Sequence, residues 1–227
     1  MRVAALYDVH GNLPALDAVL RDERLAGVDL VVSGGDVAAG PFPRECIERL
    51  HELGDRVAFV RGNADRELAG WAAERLDEDE LQMLRGWPAT VEVDVDGLGK
   101  VLFCHGSPRS DEEILTAITP DPVVREACGG APAVVCGHTH VQFDRVVGET
   151  RLVNAGSVGS PYEGRRGAFW GLLGPDVRLL STDYDVDRAT EEIRTTGYDG
   201  AEDLAGWLLE PVAAEEATAF FESRRGA

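Results

Sequence analysis

Basic residues are scarce in this chain, and lysine is almost missing. Lys100 is the only lysine, and 22 basic residues face 41 acidic ones, which gives a formal net charge of −19. A surface that binds duplex DNA neutralises phosphates with clustered lysine and arginine. We therefore expect no duplex DNA partner. Carboxylates grouped at one site bind divalent cations instead.

Long apolar runs are also missing. No stretch reaches the roughly 18 uninterrupted apolar residues of a membrane-spanning helix, and the chain enters a strand pattern without the apolar region of a signal peptide. We therefore predict a cytoplasmic protein with no membrane partner.

Paired cysteines are the third absence. The four cysteines form no C-x-x-C pair, which argues against a zinc finger or a dithiol redox site. Cys104 and Cys136 lie in apolar runs typical of buried strands, so we predict buried free thiols. The four are Cys46, Cys104, Cys128 and Cys136.

The first third of the chain repeats a strand–loop pattern. Apolar runs at 2–7, 29–33 and 56–60 each end in a polar loop, and helical patterns follow. Strands that alternate with helices predict a largely parallel sheet, whose ligands gather at the carboxyl ends of the strands. Helices are predicted over 66–73 and 77–85.

The pattern changes after Pro88. Alternating and apolar segments predict a hairpin over 90–104, turning at 97–99, and therefore a second sheet region. The further predicted strands are 133–136, 142–147, 151–153, 168–173 and 177–181.

The pattern of the C-terminal part predicts helices over 187–194, 201–209 and 211–223, with Pro211 in the first turn of the last one. We predict a domain over 1–185 and a helical extension over 186–227 that packs on it. A role as a lid or dimer contact stays open, as does the choice between monomer and homodimer.

Metal-ligating residue types cluster directly after the predicted strands. One histidine there is usually structural, but seven such residues together indicate a site. They are Asp8, His10, Asp36, Asn63, His105, His138 and His140.

Seven donors exceed the three or four protein ligands of a single zinc ion, so they fit two ions with one bridging carboxylate. Asp8 and His10, like His138 and His140, stand two residues apart. In an extended chain both side chains of such a pair leave the same face and point into one cavity.

These motifs resemble the ordered signature of the calcineurin-like metallophosphoesterases. The matching elements are Asp8-Val-His10, Gly35-Asp36, Gly62-Asn63, His105-Gly106 and Gly137-His138-Thr-His140, and the likeness spans residues 1 to about 160. The opening motif and Asn154-Ala-Gly-Ser-Val-Gly resemble the compact bacterial branch with small phosphodiesterases. The resemblance implies an α/β (α+β) fold, a four-layer αββα sandwich of two mixed sheets flanked by helices.

The resemblance also assigns roles. It places Asp8, His10, Asp36 and His140 on one metal ion and Asp36, Asn63, His105 and His138 on the other, with Asp36 as the bridge. The two divalent ions, Mn²⁺ first and Fe, Zn, Ni or Co as alternatives, share a hydroxide that attacks phosphorus. Asp36 and Asn63 are the expected catalytic residues.

Ala64 departs from the family pattern, in which a histidine or cysteine often follows the asparagine and helps to protonate the leaving group. Its absence favours aryl esters and phosphoanhydrides. Asp65 either replaces that acid or caps a helix. Asn12, Asn63 and Arg61 are the expected substrate-binding residues, although Asn12 is also placed to cap a helix.

We therefore expect a hydrolase of phosphate esters, a phosphodiesterase or phosphatase that acts on a small or nucleotide-like phosphorylated substrate. A phosphoprotein phosphatase and a catalytically weakened scaffold of the same fold are the alternatives.

Overall fold

Two five-stranded sheets form the centre of the computed structural model, which describes residues 1–226. The first sheet has the order β10 (Val177–Thr182), β9 (Ala168–Leu173), β1 (Val3–Leu6), β2 (Leu30–Ser33), β3 (Val57–Phe59). The second has the order β4 (Thr90–Val95), β5 (Gly99–Cys104), β6 (Ala133–Cys136), β8 (Thr150–Asn154), β7 (Phe143–Val147).

Helices flank the two sheets. They are α1 (Leu13–Leu20), α2 (Pro43–His51), α3 (Asn63–Arg66), α4 (Gly70–Ala73), α5 (Glu78–Gly86), α6 (Asp121–Cys128), α7 (Val186–Thr195), α8 (Ala201–Leu209) and α9 (Ala214–Arg224). Buried side chains of α1 and α2 share one core with the first sheet, and those of α6 share another with the second.

A third apolar core lies between the sheets. It joins Val3, Ala5 and Tyr7 from β1 and its end to Val101 and Phe103 of β5. The Tyr7 hydroxyl also donates a hydrogen bond of 2.9 Å to the Val135 carbonyl of the other sheet. The predicted four-layer αββα sandwich is therefore confirmed.

The sheet topology gathers polar loops at one edge. In the first sheet β1, β2 and β3 run parallel, and in the second β5, β6 and β8 run parallel. The antiparallel partners β9, β10, β4 and β7 make both sheets mixed. Loops at the carboxyl ends of the parallel strands are where ligands bind in such sheets.

Two predicted helices differ from the structure, and one further helix was not predicted. The helix expected over 66–73 is divided into α3 and α4, because Ala69 is extended and Gly70 has a φ of +58°. α9 begins at Ala214 rather than Pro211, since the Val212 carbonyl accepts a hydrogen bond from Gly164 N instead of joining a helix. α6 was not predicted.

The last three helices pack on the sandwich. Val186, Ile193 and Leu204 form a small core with the partly buried Phe42, which precedes α2. Glu222 of α9 accepts hydrogen bonds from the hydroxyls of Thr116 and Thr119. A domain boundary at 185/186 stays a prediction. Within residues 1–226, no helix combines the length and apolar character that crossing a bilayer requires.

Candidate metal centre

The loops after the parallel strands bring the predicted ligands together. Two groups have ligand atoms that all lie within 4.8 Å of one another: Asp8, His10 and His140 form one, and Asp8, Asp36 and His105 form the other. Asp8 is common to both groups. Five of the seven predicted ligands therefore converge in two adjoining clusters.

The carboxylates lie between the imidazoles. Asp8 Oδ1 is 3.2 Å from His140 Nε2 and 3.8 Å from His105 Nε2. Asp36 Oδ2 is 3.4 Å from His105 Nε2 and 3.8 Å from His10 Nε2. Each carboxylate thus faces histidines of both clusters, which is the placement a bridging ligand requires.

Three buried ligand atoms in this region are left without a hydrogen-bond partner among the described residues. They are Asp8 Oδ1, Asn63 Oδ1 and His105 Nε2. A buried polar atom without a partner costs about 1–3 kcal/mol, and more if it is charged. Carboxylate, amide and imidazole donors fit a divalent transition metal, so this set of atoms fits the metal centre that the sequence predicts.

His138 lies beside His105. The two rings meet edge to face with centroids 5.2 Å apart, and the His138 amide donates a 2.9 Å hydrogen bond to Asp8 Oδ2. His140 instead belongs to the cluster of His10. The two histidines of this motif therefore divide between the two sides of the site.

The backbone at the ligands corrects one prediction. Asp8, His10, Asp36, His138 and His140 all have φ between +46° and +65°, whereas an extended chain was expected around the paired motifs. Residues other than glycine rarely adopt this left-handed region, and such outliers collect at functional sites. Each ligand pair reaches the site through a sharp loop and not through the alternation of a strand.

Hydrogen bonds to backbone carbonyls orient two of the histidines. His105 Nδ1 lies 3.0 Å from Gly34 O, and His140 Nδ1 lies 2.6 Å from Ser160 O. A carbonyl oxygen accepts only, so Nδ1 carries the proton and Nε2 is turned to the site. Such contacts fix the tautomer of metal-binding histidines.

Two glycines let the loops approach one another. A Cβ atom on Gly62 would lie 2.1 Å from Asp36 Oδ1, and one on Gly137 would lie 2.4 Å from Asp8 Oδ2. Any side chain at either position would push a carboxylate out of place. The glycines beside Asn63 and His138 are therefore part of the geometry of the site.

The charges of the site are coupled. Burial opposes a charged His105, but the adjacent Asp36 and Asp8 outweigh it and raise the pKa of His105 to about 10. Burial and the nearby His105 lower the pKa of His138 to about 4. Protonated imidazole thus balances the two buried carboxylates, and bound cations would take over that role as the ligands release protons.

Asp65 connects two of the ligand loops. Its fully buried carboxylate accepts hydrogen bonds of 2.8, 2.9 and 2.9 Å from the backbone amides of Asp36, Val37 and Gly62. Burial and the neighbouring Asp36 raise the pKa of Asp65 to about 7, against the effect of these amides. The carboxylate braces the loops of Asp36 and Asn63, which goes beyond the helix-cap role weighed from the sequence.

Asp65→Asn should lower the free energy of unfolding by about 1–3 kcal/mol, because an amide nitrogen would face an N–H donor in a buried place. Urea unfolding of the metal-free protein measures this change. Asp55→Asn, on an exposed carboxylate, is the matched control and should stay within about 0.5 kcal/mol of the parent. Equal effects of the two substitutions would contradict the role of Asp65 in holding the two loops together.

Two predicted substrate-binding residues are occupied by structural contacts. Asn12 is fully buried; its oxygen accepts from Ala15 N, and its amide donates to Gly159 O at 2.8 Å. This arrangement supports the capping role for Asn12. Arg61 donates from Nη1 to Arg85 O at 2.8 Å. A contact of either side chain with substrate stays a prediction.

Aromatic residues beside the ligands were not predicted. The Tyr162 ring stacks on His140 with centroids 5.1 Å apart and an interplanar angle of 15°. The ring centroid of Phe221, in α9, lies 6.5 Å from that of His138 and 6.3 Å from that of Tyr162. Periodicity marks such residues as apolar but does not tell which of them approach the site.

Comparison with known proteins identifies the family of this chain. Residues 1–172 match the calcineurin-like phosphoesterase superfamily domain. The chain is 31% identical over 188 residues to the phosphodiesterase YfcE of Escherichia coli K12, an alignment that covers 78% of this chain and 89% of YfcE. This similarity places the chain in the compact bacterial branch.

Solved structures share the fold. A metallophosphoesterase from Sphaerobacter thermophilus superposes with a TM-score of 0.76 at 27% identity, covering 93% of this chain and all of that one. A protein from Pyrococcus horikoshii OT3 superposes with a TM-score of 0.79 at 21% identity, covering 94% and 99%, and supports the fold alone. The chain belongs to the calcineurin-like phosphoesterase superfamily and is a metal-dependent phosphoesterase.

Proposed function

We propose that this phosphoesterase uses two divalent ions to hydrolyse small, nucleotide-like phosphodiesters. The observation that carries the proposal is the position of Asp8 Oδ1 and Asp36 Oδ2, each within 3.8 Å of histidines from both clusters. The name phosphodiesterase given to the similar protein YfcE supports a diester as the substrate.

Asp8, His10, Asp36 and His140 would hold one ion, and Asp36, Asn63, His105 and His138 the other. Asp36 is the proposed bridge, but Asp8 belongs to both compact clusters and competes for that role. Bound metal would supply a nucleophilic water at neutral pH and stabilise the negative charge on the phosphoryl oxygens. Mn²⁺ is the proposed ion, with Fe, Zn, Ni or Co as alternatives.

The protein residues position the reaction. The Ala64 amide donates a 2.8 Å hydrogen bond to Asp36 Oδ1, which leaves Oδ2 turned to the imidazoles. Asp65 is buried behind this loop and already accepts three hydrogen bonds, so it is not placed to protonate a leaving group. Ala64 cannot do so either. The site therefore favours leaving groups that depart as anions, such as aryl oxides and phosphates.

Substrate size is limited on one side. A cavity of about 240 Å³ beside His10 and His140 is lined by Tyr198 and by Leu204 and Trp207 of α8. This approach suits a small molecule better than a phosphoprotein. We also propose that the protein acts in the cytoplasm without a duplex DNA or membrane partner, in keeping with its net charge of −19.

Turnover of model esters tests the function. Protein loaded with Mn²⁺, Co²⁺, Ni²⁺ or Zn²⁺ should release p-nitrophenolate from bis-p-nitrophenyl phosphate faster than from p-nitrophenyl phosphate, and a chelator should abolish the release. No turnover with any of the four metals would refute the enzymatic proposal and favour a scaffold. Faster turnover of the monoester would point to a phosphatase.

A further inference from the structure

Two cavities next to the metal centre share a wall. The first, of about 240 Å³, opens on His10 and His140. The second, of about 270 Å³, lies further out against Phe220 and Phe221. Tyr162 and Trp207 line both cavities. A ligand group anchored at the metal side can therefore extend along these two rings.

The wall is aromatic from the ligands outward. The Tyr162 ring stacks on His140, and the Phe221 ring centroid lies 6.3 Å from that of Tyr162. The Phe220 ring meets Phe221 edge to face, with centroids 5.7 Å apart. Rings at these separations offer flat faces for stacking with another ring. The surface is continuous with the site and is not a separate apolar patch.

Two side chains of the wall are more exposed than their chemistry favours. Trp207 is 45% and Phe220 is 50% exposed, whereas the other tryptophans, Trp71, Trp87 and Trp170, are partly or fully buried. Exposing large apolar side chains forgoes about 25 cal/mol for each Å² left in water. Exposed apolar surface beside a cavity is typical of a ligand site.

The charges along the wall indicate what it accepts. Apart from the histidines, its charged residues are the carboxylates Asp203 and Glu216, and neither cavity has a lysine or arginine in its lining among residues 1–226. A second anionic group would meet no cation in either lining; the guanidinium of Arg224 lies over the Phe220 ring, with Cζ 4.3 Å from the ring centroid. A neutral ring can stack on the aromatic faces and donate its N–H groups to the carboxylates.

We infer that Trp207 and Tyr162 form a stacking subsite for a flat aromatic group, such as a nucleobase, on the substrate of the metal centre. The inference rests on the proposed function and names the part of the substrate that gives selectivity. Trp207, Phe220 and Phe221 lie outside residues 1–172, the part that matches the family domain. The family match therefore covers the metal ligands and Tyr162 but not the rest of this wall.

Binding of matched ligands tests the inference without relying on turnover. Adenosine 5′-monophosphate and ribose 5-phosphate share the phosphate and the ribose and differ at the anomeric carbon, which carries adenine in the first and a hydroxyl group in the second. Calorimetry on the Mn²⁺-loaded full chain should show the adenosine ligand binding about 10–100-fold more tightly, the range expected from stacking one base.

Trp207→Ala should abolish most of this difference in affinity, because it weakens the binding of adenosine 5′-monophosphate and not that of ribose 5-phosphate. Trp207→Phe should retain most of the difference. Ile118→Ala, which changes another exposed apolar side chain, is the control and should leave the ratio unchanged. Circular dichroism checks that each variant is folded.

Three results would overturn the subsite: equal affinities of the parent protein for the two ligands, an equal loss of affinity for both ligands in Trp207→Ala, or no binding of either ligand. Tighter binding of phosphocholine than of the adenosine ligand would identify an alkylammonium site instead. Turnover of bis-p-nitrophenyl phosphate with equal affinities refutes the subsite alone. A base-dependent affinity without turnover refutes the enzymatic proposal alone.

Discussion

Asp36→Asn should reduce phosphodiester hydrolysis by about 10³-fold or more, because it removes a carboxylate that faces both histidine clusters. Loss of one ion forfeits several kcal/mol of transition-state stabilisation, and each 1.36 kcal/mol is a factor of ten in rate. Elemental analysis of the purified variant should find fewer than two ions for each chain, whereas the parent should bind two.

The metal-free variant should remain folded. Asp36 and Asp8 are both buried and their charges repel each other, so a neutral amide at position 36 relieves that repulsion. The substitution also removes one of the two carboxylates that balance protonated His105, but Asp8 remains beside that imidazole. The Asn oxygen can still accept the hydrogen bond from Ala64 N. Thermal unfolding in chelator checks this point, and Asp79→Asn, on an exposed carboxylate, is the control for both metal content and activity.

Asp8→Asn, measured in parallel, identifies the bridge. If Asp36 bridges, its substitution should affect both ions, while Asp8→Asn should affect only the ion bound with His10 and His140. Two ions retained in Asp36→Asn would remove Asp36 from the bridging role. The reverse pattern would assign the bridge to Asp8, which belongs to both compact clusters.

Ala64→His should increase hydrolysis of diesters with alkyl leaving groups by about 10²-fold, while aryl esters should change little. A positioned general acid contributes about 10²–10⁴-fold, and it helps most when the leaving group is a strong base. Position 64 is half-buried, next to Asn63, and its amide contacts Asp36. The dependence of kcat/KM on leaving-group pKa should therefore become shallower.

Ala64→Gln is the matched control for this substitution. Glutamine brings a polar side chain of similar reach but no proton that it can donate as an acid at neutral pH. A gain in the glutamine variant equal to that in the histidine variant would assign the effect to binding. An equal gain on aryl and alkyl esters would contradict the missing-acid explanation.

The clustering of the proposed ligands was predictable because it depends on residue type and on position after a strand. Asp8, Asp36 and His105 each follow an apolar run, and parallel strands bring such ends to one edge. The fold was predictable for a similar reason: strands such as 168–173 have a clear apolar period. Neither prediction required knowledge of which side chains pack together.

Other features depended on contacts that span long stretches of chain. The three backbone amides that donate hydrogen bonds to Asp65 come from two loops, and nothing in a local sequence pattern shows that these loops meet. The stack of Tyr162 on His140 and the approach of Phe221 are likewise tertiary. The break between α3 and α4 was missed because a glycine inside a helical pattern is often tolerated.

The left-handed backbone at the predicted ligands opposes the stability of the fold. Each non-glycine residue held there costs about 1–3 kcal/mol, and glycine would avoid that penalty. Five such residues, Asp8, His10, Asp36, His138 and His140, lie in this one region. The loops of the site are therefore held in a conformation that their own side chains disfavour, and packing elsewhere in the sandwich must supply the free energy that keeps them there.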